Sequence, residues 1–116
     1  MTKNKKYDLE ERTLKFAQDV NLFIKGLAKN LQNIENGKQL IRSAGSVGAN
    51  YIEANEALSK KDFIMRVKIS RKEAKESIFW LKIVEVEECL KSERERLIDE
   101  STQLMKIFGS IIEKSK

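Results

Sequence analysis

Reactive side chains are scarce in this chain. It has no histidine and one cysteine, Cys89. That removes Ser–His–Asp triads, Cys–His pairs and most metal sites. Carboxylates, lysines and arginines are what remain. Arg42, Asn50, Glu53, Glu73 and Glu76 fall beside the apolar stripes of the two helices expected to be most enclosed. Paired carboxylates there could serve general acid–base work or a two-metal site. Di-iron bundles use Glu-x-x-His, so that site fails without an imidazole. The five are read as a buried polar network, in which Arg–Glu pairs and asparagine hydrogen bonds fix helix register or a subunit seam. No catalytic residue, metal or cofactor is assigned. Cys89 is expected partly buried near the end of the third helix, with no base to activate it.

The second available chemistry is phosphate neutralisation. From Lys60 to Lys75 the chain carries seven Lys/Arg and two acids, a local charge of +5, whereas residues 76–100 carry four basic and eight acidic residues, a local −4. On a wheel of about 100° per residue, Lys61, Lys68, Lys72, Lys75 and Lys82 lie opposite the apolar seam of the third helix, with Lys60 and Arg71 at the edge. Lysine suits contact with the phosphate backbone, because bidentate base reading is chiefly an arginine habit. Lys61, Lys68, Arg71, Lys72 and Lys75 are therefore the candidate RNA- or DNA-binding residues, and their binding would be strongly salt-dependent. A solvated helix face, or a dock for an acidic protein partner, would produce the same stripe. On the same helix, Met65, Ile69, Phe79, Trp80 and Ile83 make a second apolar flank. One helix of a bundle needs only one buried stripe, so this flank is expected to be an oligomer interface.

These groups are positioned by helices. Leu9, Thr13, Phe16, Val20, Phe23, Leu27 and Leu31 recur at steps of four and three, which predicts a first helix from Asp8 to about Lys29–Asn33. A second is expected from Ile34 to Ala57, with the stripe Leu40, Ala44, Val47, Tyr51, Ala54 and Leu58. Its run Ser43-Ala44-Gly45-Ser46-Val47-Gly48-Ala49 reads as a site of close helix–helix approach. A phosphate-cradling glycine loop is the sharper alternative, disfavoured because no strand precedes the glycines and no Gly-Lys-Ser/Thr follows them. Ser59 is placed to cap a third helix running from Lys60 to Leu90, with the seam Phe63, Val67, Ser70, Ala74, Ser77, Leu81 and Val84. The small centre of that seam is expected to lie close to the small residues of helix two. Ser92-Glu93-Arg94-Glu95 has the capping-box pattern for a fourth helix carrying Leu97, Ser101, Leu104, Phe108 and Ile111, flanked by Ile98, Met105 and Ile112. Four amphipathic helices with short turns give an all-α, antiparallel up-down-up-down four-helix bundle.

Composition agrees. The 116 residues include 41% hydrophobic and 35% charged residues, no Pro, and a net charge of +5. That is too apolar for a disordered chain and too charged for a membrane protein. No apolar run approaches the ~20 residues of a membrane span, and one cysteine fits a reducing compartment, so a cytoplasmic location is expected. Residues 1–6 read as a flexible basic tail and residues 7–116 as a single domain.

The stretch Gln39-Leu40-Ile41-Arg42-Ser43-Ala44-Gly45-Ser46-Val47-Gly48-Ala49-Asn50-Tyr51-Ile52-Glu53-Ala54 is distinctive. So are Phe63 to Leu81, centred on Ser70-Arg71-Lys72-Glu73-Ala74-Lys75-Glu76-Ser77, and the opening Asp8-Leu9-Glu10-Glu11-Arg12-Thr13. Together they resemble the bacterial four-helix-bundle proteins encoded within 23S rRNA intervening sequences, the S23 family, over residues 7–114. The resemblance implies an antiparallel bundle assembled as a ring-shaped homopentamer. It also implies similarity to the accessory protein of diversity-generating retroelements, a basic pentameric bundle that binds nucleic acid and a reverse transcriptase. The Arg, Asn and Glu positions of the family carry over to Arg42, Asn50, Glu53, Glu73 and Glu76, and no catalytic residue is implied.

Overall fold

The computed structural model describes residues 5–116, with side chains from Leu9 onward. Four helices run α1 (Lys5–Lys25), α2 (Leu31–Asn55), α3 (Lys60–Ile83) and α4 (Lys91–Ser115), with a short 3-10 turn at Glu88–Leu90 before the last. Each packs on its sequence neighbours, and α1 closes the bundle against α4. This is the antiparallel up-down-up-down arrangement that the periodicity predicts. Residues 1–4 of the expected tail lie outside the described residues.

The stripes form the core. Phe16, Leu40, Leu81, Leu97, Leu104 and Phe108 are fully buried, each contributing about 1.5–3 kcal/mol by leaving water. Where four helices converge, α3 is packed through serines. Ser70 Oγ donates to the Val47 carbonyl of α2 at 2.9 Å, and Ser101 Oγ of α4 donates to the Ala74 carbonyl at 2.7 Å. Ser43 and Ser77 share a hydrogen bond at 2.9 Å. A buried hydroxyl must find an acceptor, and here the acceptor is the neighbouring helix, which holds the pair close. The α1–α4 interface is the thinnest of the four. It is drawn together by Arg12 donating to Glu100 at 2.7 Å and Arg96 donating to Asp19 at 2.9 Å.

Boundaries and caps depart from the sequence reading in specific places. The first turn comes earlier, so Leu31 opens α2 and is 71% exposed rather than closing the stripe of α1. Asn30 caps α2, its side chain accepting from the Asn33 amide at 2.8 Å. Leu58 lies beyond the end of α2 at Asn55 and is exposed. Ser59 caps α3 as expected, accepting from the Asp62 amide at 3.0 Å. However, α3 stops at Ile83 instead of Leu90. Buried Asn33 takes both backbone groups of Glu85: its Oδ1 accepts the amide at 2.9 Å and its Nδ2 donates to the carbonyl at 3.1 Å. Helical bonding cannot continue through that residue. Cys89 accordingly sits in the 3-10 turn and is exposed, not partly buried. The Ser92 box is also corrected: Leu90 occupies the N-cap without a side-chain hydrogen bond, because the preceding 3-10 turn feeds directly into α4. Ile112 takes the buried position expected of Ile111. The small run of α2 does lie close to the small centre of α3, through Ser43 with Ser77 and Ser70 with the Val47 carbonyl, while Gly48 faces α1, where an added Cβ would lie 2.8 Å from Thr13 Oγ1, and Gly45 faces open space.

Candidate nucleic-acid interface

The outer face of α3 results from its seam. Val67, Ser70, Ala74, Ser77 and Leu81 are buried, and residues on the opposite side of that helix must face outward. Lys61, Lys68, Arg71, Lys72 and Lys75 are all exposed. Arg71 extends over Gly109 of α4, whose added Cβ would come 3.9 Å from Nη1. Near it, Glu113 is held below the usual carboxylate range mainly by its hydrogen bond from Lys116, with a smaller pull from Arg71. Lys72 stands 4.0 Å from the Glu73 carboxylate. Lys61, Lys68 and Lys75 have no ion-pair partner among the described residues. Three uncompensated ammonium groups on long flexible stems suit a phosphate chain better than a shaped ligand.

Beside the lysines, on the α2 side, lies the polar group foreseen from sequence, and the structure divides it. Arg42 donates through Nη1 to the buried Glu73 carboxylate at 3.3 Å and through Nη2 to Glu76, and Trp80 Nε1 donates to the same Glu76 oxygen at 2.9 Å. The Trp80 hydrogen bond leads in holding Glu76 below its ordinary pKa, with Arg42 adding to it. Arg42 is exposed, so this is a surface-lapping cluster rather than a buried one. Asn50 stands apart, donating to the Ser46 carbonyl at 2.9 Å and accepting from Arg66 at 3.4 Å. Glu53 projects outward from α2 and joins neither group. Arg66 was not singled out by sequence reasoning, although its place within the basic stretch was a usable signal.

The expected apolar flank is uneven. Met65, Phe79 (55% exposed) and Ile83 are exposed, while Ile69 and Trp80 are half-buried. Trp80 packs on the core edge and meets Phe79 edge-on at 5.0 Å between ring centres. Among the described residues no cluster of His, Cys, Asp or Glu could hold a metal. No helix among them is long and apolar enough to cross a membrane.

The family model described as 23S rRNA-intervening sequence protein matches residues 5–110. The chain belongs to that family. A solved structure from the same group superimposes closely on this intervening-sequence protein fold. It is a protein of unknown function from the S23 ribosomal protein family of Bacteroides thetaiotaomicron VPI-5482, 31% identical, with a TM-score of 0.80 over 95% of this chain and 99% of the other. No curated protein matches the chain. The basic outer face of α3 and its apolar flank are thus features of an intervening-sequence family bundle whose solved relative is itself described as of unknown function.

Proposed function

We propose that this chain is a non-enzymatic, self-associating helical bundle, of pentameric ring form, that binds RNA or DNA through the outer face of α3. The observation that carries the reading is the group of exposed lysines, Lys61, Lys68 and Lys75, without ion-pair partners among the described residues. Such charges favour association with polyanions by counterion release. A ring repeats a weak patch in every subunit and converts modest affinity into avidity. The exposed apolar residues on the same helix support self-association. The family description refers to 23S rRNA, so a fragment of that RNA is the natural first probe.

Fluorescence anisotropy with labelled RNA and DNA across a salt series tests the reading. Binding should weaken steeply with salt, and Lys68→Glu together with Lys75→Glu should abolish it while light scattering and far-UV circular dichroism stay unchanged. Flat anisotropy at low salt would exclude nucleic acid as the ligand. Capture of one acidic protein after nuclease treatment would then favour the scaffold reading instead.

A further inference from the structure

We propose that one end of the bundle is a ligand site for an anionic amphiphile: a single alkyl chain lies between α1 and α4, and its charged head meets Lys60 and Lys114. All four helices reach this end, where α1 and α3 begin and α2 and α4 finish. Between them is an open slot of about 540 Å³, inside the range of roughly 300–1,000 Å³ usual for small-molecule sites. Its apolar wall is Leu9, Tyr51, Phe63, Ile107 and Ile111. Leu9 and Tyr51 are buried, and the other three are half-buried. The site uses none of the residues proposed for nucleic-acid contact and does not rest on that reading.

The slot follows from the thin seam between α1 and α4. Arg12 ties the two helices together, donating to Glu100 at 2.7 Å and to Gln103 at 2.9 Å. Ile107 and Ile111 come about one and two turns after Gln103 on α4, and Leu9 comes just before Arg12 on α1. Past the Arg12 bridge the helices therefore offer each other only these apolar side chains, which leave the gap unfilled. A second recess of about 520 Å³ adjoins the slot, and the two share Phe63, Lys114 and Ser115. Leu58 and Lys60 line its outer part.

Charge decides the class of ligand. Lys60 and Lys114 are exposed and have no ion-pair partner among the described residues. No carboxylate lines either recess. Glu100 is engaged by Arg12, and Glu10 is drawn to Asn55 at 2.8 Å. Burial keeps the Tyr51 phenol protonated by raising its pKa, against a hydrogen bond from Asn55 and with a smaller push from Glu10, so this wall brings no negative charge. An apolar interior with an uncompensated positive mouth complements a chain that ends in an anion. A neutral chain would leave both lysines unused, and a bare phosphate would leave the slot empty.

Calorimetric titration of the full chain with decanoate, kept below its micelle concentration, tests the site against decanol and inorganic phosphate. Decanoate should bind one per protomer, decanol roughly tenfold more weakly, and phosphate not measurably. Lys60→Gln with Lys114→Gln should bring decanoate down to the affinity of decanol, roughly the tenfold loss expected of hydrogen bonds to a charged group, and leave decanol unchanged. Ser110 is exposed at the edge of the slot, so Ser110→Phe should block both chains while circular dichroism stays unchanged. Equal affinity for decanoate and decanol, tight binding of phosphate alone, or decanoate binding that survives Ser110→Phe would overturn the proposal. Phosphatidylglycerol vesicles separate the two sources of such a chain. Pelleting of the wild type but not of Ser110→Phe would assign a bilayer lipid, and a wild type that binds decanoate yet stays in the supernatant would assign a free amphiphile.

Discussion

Gly45 and Gly48 lie three residues apart in one helix, and alanine should act on them with opposite sign. Alanine gains about 1 kcal/mol over glycine in a helix interior through backbone entropy. At Gly45 an added methyl meets open space, so most of that gain should survive. At Gly48 the methyl would lie 2.8 Å from Thr13 Oγ1 and 3.1 Å from Thr13 Cβ. Thr13 is itself buried and donates to the Glu10 carbonyl at 3.0 Å. It cannot swing away, so α1 and α2 must separate. Overpacking of this kind costs about 1–3 kcal/mol, which after the helix gain of about 1 kcal/mol leaves Gly48→Ala about 0–2 kcal/mol below its parent. The gap between the two variants is then about 1–3 kcal/mol, or on the order of 10 °C in melting temperature for a chain of this size. Thermal unfolding followed by circular dichroism measures it. Both substitutions belong in a Phe79→Glu background, where the expected loss of assembly leaves protomer stability alone. If Gly48→Ala melts at or above Gly45→Ala there, then α1 does not depend on the missing Cβ for its closeness to α2.

Other outcomes follow from the same geometry. Asn33→Ala strips partners from the Ala28 and Glu85 backbone groups and should cost about 2–4 kcal/mol in urea titration, whereas loss below 0.5 kcal/mol would mean water replaces it freely. Ser101→Ala removes the 2.7 Å bond to the Ala74 carbonyl and should cost about 1–2 kcal/mol by the same assay. Because Glu76 is held below its ordinary pKa, its contribution is complete above the unfolded value of about 4.5 and is lost as pH falls through the folded value. Glu76→Gln should therefore flatten the acid side of the stability curve below that pH and leave its shape unaltered above it. Lys68→Gln with Lys75→Gln should lower the salt slope of RNA binding by about 1–2, and an unchanged slope would place the phosphates elsewhere.

The helices and their inward faces were legible because apolar spacing is a local signal, and no Pro or strand-like run competed with it. The end of α3 was not. Val84 and Val86 continue the apolar rhythm, and the residues around them are good helix formers. The stop is imposed by Asn33, 52 residues away, and a one-dimensional pattern cannot show that reach. The same holds for Ser92, whose box lacks only the fact that the 3-10 turn at Glu88–Leu90 already starts the helix. At the site, the outward lysines could be read from the wheel. The division of the polar residues could not, because Glu53 and Arg42 share a side of α2 and only the position of α3 decides that Arg42 finds carboxylates.

The thin seam between α1 and α4 has a bearing on how the protomer comes apart. Breathing motions should start by peeling α1 away as a strap, leaving the three serine-stapled helices behind it. Amide protons of α1 would then exchange with deuterium before those of α3. The groove so vacated, between α2 and α4, would be open to the strap of another copy, which makes exchange of the first helix the natural misassembly of this fold.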